Sequence, residues 1–245
     1  MAEQNAGMEF NPEVRLVTEM IEAIARGELR IPKFQRAFSW APGQMLDLFE
    51  SLERGFPIGS FIVWETESQV ECSNEIAGQM IADPEPGRPI SYLVDGHQRL
   101  ATLFGCLRAA NPREWKWSVY RVLGQRDGQS HRYRHWKKRD VPINYFPVRS
   151  ALRTIDFLAY MRELSAAAPE EELADLIDEC ESVVRRIKDY RVPVVRVVGG
   201  SLSVASTVFS RVNTTGRSLT ASELADAAKY VTGDSADTSG ETNRS

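Results

Sequence analysis

Five consecutive residues, Asp95-Gly-His-Gln-Arg99, bring a carboxylate, an imidazole, an amide and a guanidinium to one turn of the chain. The apolar run Tyr92-Leu-Val94 precedes them and predicts a short buried strand. Asp-Gly then favours a tight turn, because glycine accepts a positive φ and aspartate bonds its own turn. Apolar residues follow at the spacing of one helix face: Leu100, Leu103, Phe104 and Leu107. The sequence therefore predicts a strand, a turn and a helix, with polar side chains where the helix begins.

The start of this helix suits an anion, because free backbone N–H groups and the positive end of the helix dipole point there. Arg99 adds a planar, permanently charged fork that matches phosphate oxygens, and Gln98 is a second candidate for phosphate contact. Asp95 is the only carboxylate in the turn and could hold Mg²⁺ or orient a water molecule. The alternative is structural: Asp-Gly turns before helices are common, and Arg99 could simply pair with a carboxylate.

The segment Ile31-Pro-Lys-Phe-Gln-Arg36 is a second candidate for chemistry. Gln35 and Arg36 offer hydrogen-bond donors suited to phosphate or to base edges, and Lys33 and Phe34 could contact nucleic acid. Three aromatic side chains could stack on a base: Phe34, Phe38 and Trp40. In the alternative interpretation these aromatic rings belong to the core and Arg36 is a surface charge.

The stretch 131–139 is basic and aromatic, with Tyr133 and Trp136 between its charges. This pattern would suit a phosphate backbone and stacked bases, although a solvated charged face has the same composition. The candidate nucleic-acid contacts are Arg132, Arg134, Lys137, Lys138 and Arg139. His131 and His135 are four residues apart, but no third ligand is near, so we do not expect a metal site there.

Length and composition limit the class of protein. The chain has 245 residues, enough for one large domain or two small ones, and a formal net charge of −4. Net acidity argues against a protein that coats DNA indiscriminately, but it allows a local basic groove. No apolar run approaches the roughly 18 residues of a membrane helix, and the polar start carries no signal peptide. Three cysteines without a CxxC pair favour a reducing cytoplasm, and the lack of a long apolar run predicts no membrane partner.

Helical and strand patterns alternate without a strict βαβ order, which predicts an α+β fold with a small mixed sheet and several packed helices. Predicted helices cover residues 14–24, 42–54, 100–107, 152–164, 170–190, 203–212 and 220–231. Predicted strands cover residues 29–32, 58–64, 91–94, 117–123, 141–146 and 192–198, with a loop at 66–90. Residues 1–13 are predicted to be a flexible lead-in, and residues 14–231 to form one domain whose helical half begins at about residue 150. Residues 232–245 are predicted to be a linker-like tail.

The turn Asp95–Arg99 resembles the DGQQR motif of a ParB/sulfiredoxin-like domain, the N-terminal part of GmrSD-type restriction enzymes and SspE-like phage-defence proteins. His97 stands where Gln is usual. The segment 31–40 resembles the IPxFQRxxxW motif of the same family, and Phe56-Pro-Ile-Gly-Ser60 resembles its PIGS segment. Residues 209–223, with Asn213, resemble its FxRxNxxGxxLxxxEL segment, so the resemblance spans roughly residues 14–231.

This resemblance implies a ParB/sulfiredoxin-like fold and a pocket shared by the two early motifs. It implies NTP hydrolysis with Mg²⁺, GTP being favoured, coupled to the sensing of DNA that carries phosphorothioate or modified cytosine and to control of an HNH-type nuclease domain or subunit. The implied catalytic residues are Asp95, Gln98 and Arg99, with Asp95 also the metal ligand. The implied nucleotide contacts are Gln35, Arg36, Gly96, His97 and Asn213. Asn213 could equally end a helix.

Two other functions stay open. A ParB-like switch would bind nucleotide or DNA without turnover, using the stretch 131–139. A direct DNA-nicking domain would use the Asp95 turn, but no second acidic or histidine ligand stands beside that turn in the sequence. With three histidines, no HNH-like cluster and no Gly-rich P-loop, we expect the N-terminal nucleotide-handling module, either cut from a longer chain or a stand-alone partner subunit. Assembly into a homo-oligomer stays open.

Overall fold

The computed structural model describes residues 8–108, 115–125, 132–138 and 140–200. Within them the fold is α+β, as the sequence predicts. The helices are α1 (Val17–Ala25), α2 (Pro42–Arg54), α3 (His97–Arg108), α4 (Thr154–Ala167) and α5 (Glu170–Asp189). The strands are β1 (Glu9–Leu16), β2 (Leu29–Arg30), β3 (Phe61–Glu65), β4 (Glu75–Ile76), β5 (Gln79–Met80), β6 (Ser91–Asp95), β7 (Val119–Val122), β8 (Tyr133–His135), β9 (Tyr145–Pro147) and β10 (Arg191–Val198). Short 3-10 helices cover Trp115–Trp117 and Val148–Leu152.

Five of the described strands form a mixed sheet in the order β1-β10-β3-β6-β2. Strand β10 runs antiparallel to β1 and parallel to β3, and β6 runs antiparallel to β3 and parallel to β2. Pro193 precedes Val194, the first residue of β10 that pairs with β3, so the proline lies near the start of its strand. The sheet thus joins the beginning of the described chain to its end.

Both faces of this sheet are covered. The larger hydrophobic cluster combines buried side chains of all five helices with Phe61, Val63 and Leu93. A smaller cluster takes alternate residues of the same strands, including Ile62 and Trp64. Because successive side chains of a strand point to opposite faces, this double burial explains why β3 and β6 are almost continuously apolar in sequence.

The central strand, turn and helix form as predicted. Strand β6 ends at Asp95, Gly96 turns the chain with φ +98°, and α3 starts at His97. The Leu100 N–H donates to the carbonyl of Gly96 at 2.9 Å and closes the first turn of α3. A side chain at residue 96 would have no room, because its Cβ would lie 2.3 Å from the buried ring of Phe61.

Strands β7, β8 and β9 form a separate three-stranded sheet that is tied to α2 and α5 through one buried arginine. The Arg121 side chain, 1% exposed, donates to both oxygens of Glu53 at 2.8 and 2.9 Å and to Glu179 at 2.6 Å. Glu179 also accepts the backbone N–H of Gly124 at 2.6 Å. Because the donors face carboxylates directly, this buried charge is compensated.

Three sequence predictions differ from the structure. Residues 9–16 form β1, so the predicted lead-in up to residue 13 and the helix start at 14 are wrong in this stretch. Pairing with β10 decides the conformation there, although Val14 is 62% exposed. The 66–90 loop contains the short hairpin β4-β5. The strand predicted at 141–146 is displaced to β9, where it pairs with β7.

Several predictions lie outside the described residues: the helices at 203–212 and 220–231, the segment with Asn213, and the tail at 232–245. Among the described helices, none combines the length and the apolar character needed to cross a membrane. The three cysteines are free thiols.

Candidate functional site

The two motifs singled out in the sequence are joined by the carboxamide of Gln35. Its Nε2 donates to the carbonyl of Leu93 at 2.9 Å and to that of Val94 at 2.8 Å. The loop between β2 and α2 is thereby fixed to β6, the strand that leads into α3. The predicted proximity of residues 35–36 to the 95–99 turn is therefore present in the fold.

Gln98 makes a second link between the motifs. Its Oε1 accepts the backbone N–H groups of Ser39 at 2.8 Å and Trp40 at 3.2 Å, and its Nε2 donates to the carbonyl of Ala37 at 3.1 Å. Both ends of the amide are therefore occupied by the loop before α2. In this arrangement Gln98 orders the loop, whereas the sequence suggested direct contact with phosphate.

Asp95 and Arg99 form an ion pair across the first turn of α3. The Arg99 Nη2 lies 3.1 Å from Asp95 Oδ2, and its Nη1 donates to the carbonyl of Ile58 at 2.7 Å. The guanidinium also lies over the ring of Phe61, 5.1 Å from its centroid. The Arg99 side chain is 18% exposed and the Asp95 side chain is 22% exposed. The guanidinium of Arg99, which the sequence suggested for phosphate binding, is thus hydrogen-bonded to groups of the protein itself.

A cavity of about 460 Å³ opens beside these links, between the segment 31–38, the 73–77 segment and α3. Three of the residues predicted to contact a nucleotide line it: Gln35, Arg36 and His97. Lys33 and Phe38 also belong to its wall. Asp95, Gln98 and Arg99 are not among its lining residues, although the carboxylate of Asp95 stays partly exposed at the start of α3.

His97 contributes a buried imidazole to this wall. Its ring hydrogen-bonds to the backbone of Arg36, while its buried Nδ1 has no hydrogen-bond partner among the described residues. Burial lowers the pKa of His97 below the ordinary 6.5, more than the Arg36 contact raises it, so the ring is neutral at pH 7. A neutral ring that donates through one nitrogen leaves the other as an unused acceptor, available to a ligand donor or to water.

We expect His97 to make stability depend on pH below neutrality. Because its folded pKa lies below the unfolded value of 6.5, the unfolded chain binds the proton more readily. Stability should be constant above about pH 6.5 and fall as the pH drops from there through the folded pKa. His97→Gln should remove this component, whereas His135, whose pKa is also lowered by burial, titrates in both proteins.

Urea unfolding of wild type and His97→Gln between pH 8 and pH 5 measures this effect. The wild type should lose more free energy of unfolding than the variant over that range. Parallel pH profiles would show that the imidazole is not buried as described.

At the Asp95–Arg99 turn, Asp95 is the carboxylate that Mg²⁺ could use. Asp95 Oδ2 already accepts from Arg99, and the described residues contain no group of three or more His, Cys, Asp or Glu side chains placed to hold a metal. Mg²⁺ is often held by one or two carboxylates together with substrate phosphates and water. Asp95 therefore fits as a single ligand to an ion that arrives with a nucleotide.

The predicted nucleic-acid contacts divide into buried and exposed groups. Tyr133 is fully buried against Phe49, so its ring cannot stack on a base, and Arg132 lies 3.2 Å from Glu53. The ammonium of Lys137 lies 3.6 Å from the centre of the Trp115 ring. Exposed positions of this surface are Arg134, Lys137 and Lys138. Arg139 and His131 lie outside the described residues.

The predicted contacts in the segment 31–40 also differ in how far the rest of the protein already occupies them. Lys33 pairs with Glu71, and Phe34 packs against the smaller hydrophobic cluster. Trp40 is partly buried against the main core. Phe38 stacks near Trp117 at 4.8 Å and is the aromatic residue of this motif that reaches the cavity.

Sequence reasoning missed one wall of the cavity. Ser73, Glu75, Ile76 and Ala77 close it from the side of the β4-β5 hairpin. Their composition resembles an ordinary polar loop, and β4 and β5 have two residues each, so no periodic signal could have identified them. A bridge between Pro32 and Cys72 attaches this segment to the early motif.

Comparison with known proteins places this geometry in context. A family described as "GmrSD restriction endonuclease, N-terminal domain" matches residues 17–228, most of the chain. An uncharacterized protein of Methanocaldococcus jannaschii is 26% identical over 108 residues, which are 42% of this chain. The matched part is 19% of that protein, so the chain covers about a fifth of its length.

Proposed function

Because the chain belongs to the GmrSD restriction endonuclease N-terminal domain family, we propose that it is the nucleotide-handling module of a restriction system. It binds a nucleoside triphosphate, GTP being favoured, in the 460 Å³ cavity and hydrolyses it. One observation supports this proposal above others. The carboxamides of Gln35 and Gln98 tie the two motifs together beside a cavity at the start of α3.

The cavity offers matched surfaces for the parts of a nucleotide. The first turn of α3 supplies backbone N–H groups and a positive dipole for the phosphates, and the Arg36 side chain adds positive charge. Phe38 supplies an aromatic face for the base, and the unused Nδ1 of His97 accepts a hydrogen bond from a ligand donor. The binding surface therefore comes from residues 36, 38 and 97, with Gln35 and Gln98 as positioning residues.

Asp95 is the residue proposed to act on the attacking water. Its carboxylate is held in place by Arg99, whose other nitrogen is bound to the carbonyl of Ile58. A fixed carboxylate can accept a hydrogen bond from water and orient it toward the terminal phosphate. Mg²⁺ bound together with the nucleotide would neutralise phosphate charge. Arg99 is thus assigned a positioning role.

The partners follow from the same premise. We propose that DNA, carrying phosphorothioate or modified cytosine, is the sensed target, and that an HNH-type nuclease domain or subunit is controlled. The exposed charges at Arg134, Lys137 and Lys138 form a surface suited to a phosphate backbone.

Phosphate release tests hydrolysis. The chain is mixed with Mg²⁺ and each of GTP, ATP, CTP and UTP, beside Asp95→Asn, Arg36→Gln and the control Arg162→Gln on the exposed face of α4. We expect release above background for GTP, a loss of roughly 100-fold in Asp95→Asn, and no change in the control. Arg36→Gln should raise KM more than it lowers kcat. Background release by wild type with all four nucleotides would refute the proposal.

A switch that binds nucleotide without turnover is the second candidate. The engagement of Asp95 with Arg99, and of both ends of the Gln98 amide with the loop, favours a site built to hold a ligand. Nucleotide-dependent rises in Tm without phosphate release would identify this function. DNA nicking by the Asp95 turn finds no such support, because the described residues contain no group of three or more His, Cys, Asp or Glu side chains that could hold a metal.

A further inference from the structure

A larger cavity lies on another part of the surface. It has a volume of about 800 Å³ and opens between the end of α2, the segment 55–60, the last turns of α5 and the start of β10. It shares no lining residue with the 460 Å³ cavity. Small-molecule sites commonly measure about 300–1,000 Å³, so this cavity has the size of a nucleotide site.

The rim of this cavity carries unbalanced positive charge. Three guanidinium groups line it, those of Arg185, Arg186 and Arg191, against one carboxylate, that of Asp189. All four residues are exposed, and within the described part of the chain none of their side chains makes an ion pair or hydrogen bond. Arg99 and Arg121, in contrast, are engaged by carboxylates. The free arginines therefore have donors available for a ligand.

The floor of the cavity is apolar, and the polar groups around it are hydroxyls. Leu52 is fully buried beneath it, and Pro57 and Ile58 form one wall. The Tyr190 hydroxyl donates to the carbonyl of Phe56 at 2.5 Å, which fixes that ring at the edge. Hydroxyl groups of Ser60 and Ser182 also line the cavity. An apolar floor beneath a cationic rim suits a ligand with a flat apolar part and a phosphate group.

The segment that forms one wall also contacts the Asp95–Arg99 pair. The Ile58 carbonyl accepts from Arg99 Nη1 at 2.7 Å. A Cβ at Gly59 would lie 2.3 Å from the same nitrogen, and the φ of Gly59 is +87°. A ligand seated against Ile58 and Gly59 would therefore press on the backbone that holds Arg99.

We propose that this second cavity binds the phosphate of a nucleotide, either as a free nucleotide or as part of a DNA strand. Arg185 and Arg186 at the end of α5, together with Arg191, hold the phosphate. The apolar floor receives the base or the sugar. The two cavities share no lining residue, although the Ile58–Gly59 segment of the second cavity also holds Arg99.

Fluorescence anisotropy separates the two sources of phosphate. One probe is a fluorescent GTP analogue, and the other is a fluorescein-labelled DNA duplex of 12 base pairs. Each is titrated with wild type, with Arg185→Gln/Arg186→Gln and with Arg191→Gln. The titrations are repeated on an Arg36→Gln background, so that probe bound at the proposed hydrolysis site is distinguished from probe bound in the second cavity. The matched control is Lys188→Gln/Arg162→Gln, which removes two exposed positive charges, one of them from α5, without touching the cavity.

We expect the Arg185/Arg186 variant to raise Kd roughly 100-fold for one of the probes and Arg191→Gln to raise it roughly 10-fold, since hydrogen bonds to charged groups are worth this much. The control should change Kd by less than about 3-fold, the effect of net charge alone. Weakening of the GTP analogue identifies a free nucleotide, and weakening of the duplex identifies a strand. Equal Kd values for the arginine variants and the control, or a wild type that binds neither probe, would overturn the proposal.

This result is separable from the proposed hydrolysis. Phosphate release is measured on the same arginine variants and on Asp95→Asn. If wild type shows no hydrolysis but the arginine variants still lose probe binding, the second site is supported and the proposed hydrolysis site is refuted. Thermal unfolding of each variant confirms that the exposed substitutions leave the fold intact.

Discussion

Replacing Arg121 by alanine should lower the free energy of unfolding by about 3–5 kcal/mol, because Glu53 and Glu179 lose the buried guanidinium they share. Within the described residues, Glu53 then keeps only its ion pair with Arg132. Glu53 and Glu179 both accept from this guanidinium, which is 1% exposed. The substitution also disconnects β7 from α2 and α5. Urea unfolding followed by circular dichroism at pH 7 measures the loss.

Arg153→Ala is the matched control for Arg121→Ala. Arg153 pairs with Asp156 at 2.8 Å, the same separation as Arg121 and Glu53, but its side chain is 42% exposed. An exposed pair of this kind contributes roughly 0–1 kcal/mol. Equal losses in the two variants would show that burial does not set the strength of the Arg121 cluster.

The same cluster should make the protein sensitive to acid. Burial raises the pKa of Glu53, but the Arg121 hydrogen bond and charge lower it more, so the folded pKa lies below the ordinary 4.5. The stabilisation is fully present above about pH 4.5 and is lost as the pH falls through the folded pKa. Arg121→Ala should flatten this acid limb of the stability profile.

Gly96→Ala should destabilise the fold by about 2–5 kcal/mol and abolish nucleotide binding. Part of the cost, roughly 1–2 kcal/mol, comes from the φ of +98° that an L-residue rarely adopts. The rest, roughly 1–3 kcal/mol, comes from the Cβ, which would meet the ring of Phe61 at 2.3 Å. Phe61 is fully buried, so it cannot move without shifting β3 against α3.

Gly78→Ala isolates the backbone part of this effect. Its φ is +77°, but a Cβ there would meet no atom within 4 Å. We expect a loss of roughly 1 kcal/mol for this control, with nucleotide binding unchanged. Losses of the same size at the two glycines would contradict the tight contact between Gly96 and Phe61.

The strand-turn-helix at 91–108 was predictable because its signals are local. Apolar runs, an Asp-Gly pair and helical spacing each depend on neighbouring residues, and α2 is framed in the same way by Pro42 and Gly55. The pairing of the two motifs was predictable from the resemblance alone. The sequence did not reveal that Gln98 faces a loop, since the partners of a carboxamide are set by tertiary contacts.

The misassigned parts depend on distant partners. Strand β1 has an exposed Val14 and a proline at position 12, and it becomes a strand by pairing with β10. Arg99 pairs with Asp95, an alternative that the sequence left open, and its second contact is the distant carbonyl of Ile58. The sequence predicted α5 only as a helix, because the cavity beside its charged end is created by residues 55–60 from another part of the chain.

The position of β10 has a consequence for synthesis. This strand lies between β1 and β3, yet the ribosome makes it after both of them and after α5. Until residues 191–198 emerge, β1 has no neighbour and one edge of β3 is bare. Non-local pairing of this kind slows folding, and bare edges attract other chains. Nascent protein halted before residue 191 should therefore depend on chaperones, even though its central turn can already form.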